Sequence, residues 1–241
     1  MKQNNVVVIL PTYNEAENIV PLIHALRALK IPQMDILVVD DNSPDGTADL
    51  VKKQMLRDKQ LHLLVRTTDK GRGAAGVAGY KKALEMGADI ICEMDADFSH
   101  EPRSLPSLLA ALEHADMALG SRAVQGGRDT DRPWFRRIIT RIANSYVSLL
   151  LGLHVGDCNS GYRCFRRKVI ETIGLDSLYS HGPGIVQEVL YRAHLKGFRI
   201  AEVPISFIER RKGASKFGYR HLYQGYLLII KLRLQHLFNK I

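Results

Sequence analysis

The sequence predicts an α/β fold, a mostly parallel sheet with helices on both faces. Three observations carry that expectation. Short β-branched runs alternate with stretches whose apolar residues recur at helical spacing. Each run ends in a polar cluster of turn formers. And 241 residues, 46% of them hydrophobic, are enough for one large core. Strands that alternate with helices in this way pair in parallel, because the crossover helix returns the chain to the same edge of the sheet.

Val6 to Leu10 is the first strand, and after "PTYNEAEN" the residues Ile19, Leu22, Ile23, Leu26 and Leu29 fall on one helix face. Ile36 to Val39 is the second strand; "DDNSPDGT" is a polar loop, and Thr47 is placed to cap the next helix. Leu61 to Val65, Ile90 to Met94 and Met117 to Leu119 are further strands, with helices around Ala74 to Glu85 and Leu105 to Glu113 between them. In the second half, a helix from Phe135 to Leu153 is closed by Gly152 and Gly156, and "DCNSGYRCF" reads as a turn-rich loop. A helix near Val186 to Lys196, a strand from Ile200 to Phe207 and an amphipathic helix from Leu222 to Phe238 complete the chain. Residues 1–217 form the main domain, including an interface helix near 135–152, and residues 218–241 form a C-terminal amphipathic helix.

Composition excludes some classes. The start does not read as a secretory signal, since the run from Val6 is short and meets Pro11 at once. No apolar stretch reaches the roughly 18 to 20 residues that span a bilayer. Three cysteines, an odd number without metal-ligand spacing, fit a reducing cytoplasm. The formal charge is +9, with Arg122, Arg128, Arg132, Arg136, Arg137 and Arg141 in one cluster and Arg210, Arg211, Lys212, Lys216 and Arg220 in another. Such patches suit phosphates, nucleic acid or an anionic membrane, or are simply solvated. Aromatics are only 7% and do not alternate with the basic residues, which argues against a nucleic-acid stacking surface.

Ligands of open α/β sheets bind beyond the carboxyl ends of the strands, and the polar clusters fall there. "IICEMDADFSH" ends in Asp95 and Asp97, a D-x-D pair able to share a hard divalent cation; the plainer use is that Asp97 and Ser99 cap the helix that follows. Asp40, Asp41 and Asp45 on the second loop and Glu15 on the first are acceptors for a nucleobase edge and ribose hydroxyls, and Arg210 and Lys216 offer counter-charge for a diphosphate. Gly71, Gly73 and Gly76 spell G-x-G-x-x-G, which would suit a nicotinamide-dependent oxidoreductase. The motif opens the third strand unit instead of the first, so close backbone approach to a nucleotide-sugar is the better use.

"VVVILPTYNE", "VVDDNSPDGT", "KGRGAAGVAGY", "MDADFSH", "GSR", "NSGYRCF" and "ERRKGASKF" occur in the order found in family 2 glycosyltransferases of the GT-A fold. The chain resembles more narrowly the dolichol-phosphate (polyprenol-phosphate) mannose synthases, from Val6 to about Phe217. The resemblance implies that Pro11, Tyr13, Glu15 and Asp41 hold the guanosine, with Asp45, Lys70, Gly71 and Ala96 also on the nucleotide-sugar. It implies that Asp95 and Asp97 engage Mg²⁺ or Mn²⁺ on the diphosphate of GDP-mannose; Ser99 stands where the family often has a metal-binding glutamine. Arg210 and Lys216 match positions on the donor diphosphate, while Arg122, Arg136 and Thr140 match those that meet the acceptor's phosphate, so that Asp97, Arg122 and Arg136 carry catalysis.

The implied reaction is transfer of mannose, with inversion, to a polyprenyl (dolichyl) monophosphate; the same chemistry with another donor such as UDP-glucose is the alternative. A lipid acceptor implies a peripheral protein on the cytoplasmic face of a membrane, and the resemblance admits a small membrane helper subunit. The helices at Phe135 to Leu151 and Leu222 to Phe238 are long enough to lie at such an interface, or else they pack on the core.

Overall fold

The computed structural model describes residues 4–129, 132–180, 182–208 and 219–238, the side chains of the last segment from 225 on. In chain order the elements are β1 (Val6–Thr12), α1 (Ile19–Ala28), β2 (Met34–Asp40), α2 (Thr47–Met55), β3 (Leu61–Val65), α3 (Arg72–Glu85), β4 (Ile90–Glu93), α4 (Leu105–Ala111) and β5 (Met117–Ser121). There follow β6 (Arg128–Asp129), α5 (Trp134–Leu151), β7 (Arg163–Arg166), α6 (Arg167–Thr172), α7 (Ile185–Leu195), β8 (Ile200–Pro204), β9 (Ser206–Phe207) and α8 (Tyr219–Leu237).

A seven-stranded sheet has the order β3-β2-β1-β4-β7-β5-β8. β7 runs antiparallel to β4 and β5, and the other pairs are parallel. The strand runs are apolar at nearly every position because both faces are covered. Val7, Ile9, Leu37, Val39 and Ile91 face a core shared with α3, α5, α7 and α8; Val8, Leu10, Ile36, Val38 and Cys92 face a second core under α1, α2 and α4. Pro11 fits inside β1 because β4 stops pairing at Ile9, so its missing N–H costs no ladder bond on that side. Cys92 is a buried thiol opposite Cys164 of β7, as befits a small apolar-strand residue.

Four expectations are corrected. "DCNSGYRCF" is a loop only to Tyr162; β7 follows, and its pattern escapes a search for β-branched runs because Arg163 is a fully buried interior residue. The strand expected from Ile200 to Phe207 breaks at Ile205, where the chain leaves the main sheet and β9 pairs with β6. Ile205 packs so close to Gly120 that a Cβ there would meet it at 2.8 Å. The helix expected to reach Glu113 ends at Ala111. Thr47 is the first residue of α2, not its cap; Gly46 precedes it in left-handed conformation.

The two amphipathic helices divide their apolar residues. α5 buries Asn144, Val147 and Leu151, while Trp134, Phe135, Ile138, Ile139, Ile142 and Leu149 are exposed on its other side. α8 sends Ile229 and Leu232 into the first core and exposes Leu227, Ile230, Leu234 and Leu237, with Phe238 exposed just beyond it. The core-packing alternative therefore holds for one face of each helix. Among the described residues no helix is long and apolar enough to cross a membrane.

Candidate active site

Because β1 to β5 all point the same way, the loops after them meet on one rim. Each of the first four carries a non-glycine residue with positive φ: Asn14, Asn42, Asp69 and Phe98 at 62°, 54°, 50° and 62°. Asparagine and aspartate tolerate this conformation, but for phenylalanine it is a strained one that persists only when its surroundings enforce it. Phe98 sits in the D-x-D loop.

The second loop is built around its aspartates. Asp40 accepts from Thr12 Oγ1 at 3.1 Å, Ser43 N at 2.8 Å and Ser43 Oγ at 2.6 Å. Asp45 accepts from Thr47 N, Thr47 Oγ1 and Ala16 N. Its burial alone would raise the carboxyl pKa, but these hydrogen bonds outweigh that and hold it below the usual value. Asp45 thus ties the first loop to the start of α2. Thr47 Oγ1 also receives Glu15 N at 3.0 Å, and Glu15 Oε2 accepts from Asn18. Asp41 is 5% exposed; Arg66 Nη1 donates to one oxygen at 2.5 Å and Gly71 N to the other at 2.7 Å. Tyr13 and Lys70 are exposed at the mouth, Pro11 is half-buried beneath it, and Ala96 is buried in the second core.

Gly71 has φ 135° and ψ 154°, a conformation open essentially to glycine alone. The last glycine of its motif packs closely: a Cβ at Gly76 would stand 3.2 Å from Glu93 Oε1. The G-x-G-x-x-G run is spent on seating α3 against the sheet and on presenting Gly71 N to Asp41.

At the end of β4, Asp97 is 3% exposed and one of its oxygens accepts Ser99 N at 3.0 Å; the Asp95 side chain is 36% exposed. Asp95 N donates to His100 Nδ1 at 3.1 Å, which makes that ring nitrogen an acceptor. Burial lowers the pKa of His100 against the opposing pull of Asp95 and Asp97, so the ring is neutral at pH 7. The ring stacks on Tyr162 and meets Phe207 edge-on. Two carboxylates supply hard oxygen donors, which fit Mg²⁺ or Mn²⁺ with further positions left for substrate and water. Among the described residues no group of three His, Cys, Asp or Glu side chains converges as a closed metal cage.

Behind the pair lie residues that sequence reasoning missed. Arg72, the first residue of α3, donates to Glu93 at 2.5 Å and to Asp95 at 3.3 Å, and Tyr80 also donates its hydroxyl to Glu93. Burial opposes the charge on Arg72, but Glu93 and Asp95 more than compensate and keep it protonated. The signal in the sequence was Glu93 itself, an acid inside an apolar strand, two residues before Asp95 and so on the same face.

Arg122 follows β5. Its Nε and Nη2 both reach Asp157 at 2.7 Å, its backbone N donates to the same carboxylate, and its guanidinium lies 4.9 Å over the Phe207 ring. Phe207 thereby joins Arg122 to His100 and the D-x-D loop. Asn144 of α5 donates to Asp157 at 3.2 Å, and the chain continues through Asn159 to Gln187 of α7. Arg136 and Thr140 lie one turn apart on the outer half of α5, Arg136 exposed. Arg210 and Lys216 lie outside the described residues, as do Arg211, Lys212 and His181. Glu188 of α7 is fully buried; it accepts Tyr179 N and Ser180 N and pairs with Arg192.

A rim of carboxylates, a D-x-D pair and clamped arginines on this sheet fit a GT-A type nucleotide-sugar-binding fold. The model of Glycosyl transferase family 2 matches residues 7–174, and the chain belongs to that family. Over 213 residues it is 43% identical to an undecaprenyl-phosphate mannosyltransferase of Micrococcus luteus, covering 88% of this chain and 87% of that one. Over 213 residues it is 45% identical to a polyprenol monophosphomannose synthase of Mycolicibacterium smegmatis, covering 88% of this chain and 80% of that one. A mannosyltransferase of Pyrobaculum calidifontis, solved with GDP-Man and Mn²⁺, shares the fold at TM-score 0.62 and 19% identity, over 99% of this chain and 65% of that one.

Proposed function

We propose that the protein transfers mannose from GDP-mannose to a polyprenyl monophosphate with inversion, releasing GDP. The observation that carries this reading is the meeting, on one rim, of the Asp41 clamp, the Asp95–Asp97 pair and an arginine held by Asp157. The names of the two bacterial relatives point to the same lipid and sugar. Carboxylates at the first two loops accept from the nucleoside. Arg122 meets the acceptor's phosphate, and Arg136, with Thr140, approaches it from α5; Arg210 and Lys216 are assigned to the donor diphosphate.

A phosphate monoester has a second pKa of about 6 and is largely ionised at neutral pH, so the acceptor is its own nucleophile and needs no general base. What the chain's residues must do is align two anions and exclude water between them. Arg122 is suited to this because Asp157 fixes its orientation while Phe207 supports one face of its guanidinium. A Mg²⁺ or Mn²⁺ ion held by Asp95 and Asp97 would supply Lewis-acid stabilisation of the departing diphosphate.

The lipid acceptor places the enzyme as a peripheral protein at the cytoplasmic face of a membrane, with the outer side of α5 as the contact. The test is a panel of GDP-mannose, UDP-glucose and related donors with a short polyprenyl phosphate, with and without EDTA, scored for lipid-linked product. GDP-mannose should be the preferred donor, and EDTA should stop turnover. Asp97→Ala should abolish turnover with the circular dichroism of the wild type; metal-dependent activity retained in that variant would sink the assignment.

A further inference from the structure

Arg72 is a cation that the donor reading leaves unused, and it stands inside the metal seat. Its two terminal nitrogens are divided between a structural carboxylate and a functional one. Nη1 binds Glu93 at 2.5 Å, and Glu93 is fully enclosed; Nη2 reaches Asp95 at the longer distance of 3.3 Å, and Asp95 is open to solvent. The arrangement is built in from three sides. Arg72 begins α3, and that helix packs close to β4: a Cβ at Gly76 would stand 3.2 Å from Glu93 Oε1, a tight contact. Tyr80 donates to the other oxygen of Glu93. Gly161 lies against the pair, its Cβ position 3.4 Å from Arg72 Nη2 and 3.6 Å from Asp95 Oδ1.

A guanidinium tied to the buried Glu93 would stay beside Asp95 when a divalent ion arrives there. The two like charges would then stand a few ångströms apart in a half-enclosed site, where repulsion is far stronger than in water. A diphosphate entering with the ion reverses the sign, because its negative oxygens attract both cations. We propose that Arg72 is a positioning residue that makes metal binding at Asp95 conditional on the donor diphosphate. By linkage the metal must then strengthen nucleotide binding by the same factor. This inference rests on the nucleotide-sugar reading of the site.

The experiment measures Mn²⁺ binding to the full chain by the electron paramagnetic resonance signal of the free ion, with and without GDP. Removing Arg72 alone would leave Glu93 buried without its cation, so the informative variant is the double change Arg72→Gln with Glu93→Gln, which preserves net charge and a neutral hydrogen bond. In the wild type, Mn²⁺ alone should bind weakly and GDP should strengthen it. In the double variant, Mn²⁺ alone should bind about tenfold more tightly, and the enhancement by GDP should shrink by about the same factor. Arg72→Lys, which keeps the charge though not the fork that spans both carboxylates, should stay nearer the wild type than the double variant does without GDP. Unchanged or weaker Mn²⁺ binding in the double variant overturns the inference, as does a tenfold gain in Arg72→Lys. If the wild type binds no Mn²⁺ even with GDP, the donor reading falls and the inference with it.

Discussion

At the scale of single residues, Asp157 holds Arg122 through both carboxylate oxygens and the arginine's backbone N. Asp157 is buried, which by itself raises its pKa, but the hydrogen bonds and charge of Arg122, with Asn144, pull it below the usual value of 3.8. A carboxyl whose folded pKa is depressed stabilises the fold above its unfolded pKa and loses that contribution as pH falls through the folded one. Asp157→Asn should therefore cost about 3 kcal/mol at neutral pH, the cost of breaking a buried pair, and the gap between variant and wild type should narrow below about pH 3.8 in denaturation curves. If Asp157 also aims Arg122 at the acceptor, the variant should lose about 10- to 100-fold in kcat/KM for lipid phosphate while KM for the donor changes little. An equal loss for both substrates would reduce Asp157 to a structural role. None of this was legible in the sequence, where Asp157 stands only as the first residue of a turn-rich stretch. The rim acids could be read because their strands end where they stand, whereas the partner of Arg122 is 35 residues away and only the antiparallel turn into β7 brings it back.

At the scale of elements, the first half of the fold was legible and the second half only in part, for a physical reason. β1 to β5 are runs of apolar residues bounded by turn formers, and the structure places them in parallel, as alternation with helices requires. β7 is legible only after folding, because an interior arginine breaks its apolar pattern. Arg163 satisfies itself on the carbonyls of Cys158, Ser160 and Val186, pinning the loop before β7 to α7. The glycine run of α3 was read as a ligand loop, but beyond Gly71 it is a packing surface. A Cβ at Gly79 would meet Ile9 Cγ2 at 2.6 Å and Val39 Cγ2 at 3.3 Å. Both belong to central strands that cannot retreat. Gly79→Ala should lower stability by about 1 to 3 kcal/mol, the usual cost of overpacking a core, despite alanine's higher helix propensity. Urea denaturation decides this, and a stabilised variant would mean that α3 can shift away from the sheet.

For the whole molecule, with no spanning helix among the described residues, two forces are available to bring the proposed enzyme to a lipid acceptor. One is charge, +9 in total, with Arg136, Arg137 and Arg141 on α5. Near an anionic leaflet each basic residue contributes about 1 kcal/mol, so these three give about 3 kcal/mol, and salt removes it. The other is the exposed apolar stripe of α5, Trp134, Phe135, Ile138, Ile139, Ile142 and Leu149. Inserted to half their surface, six such side chains contribute about 6 kcal/mol, and salt does not screen them. The apolar contribution is the larger, so raising salt to about 0.5 M should weaken flotation with anionic vesicles by about a hundredfold without abolishing it. Ile142→Glu, at a position 61% exposed, should reduce flotation at every salt concentration and leave the melting temperature unchanged. Flotation that vanished in salt yet survived Ile142→Glu would mean that charge alone holds the protein at the surface. The apolar stripe of α5 would then not insert into the membrane.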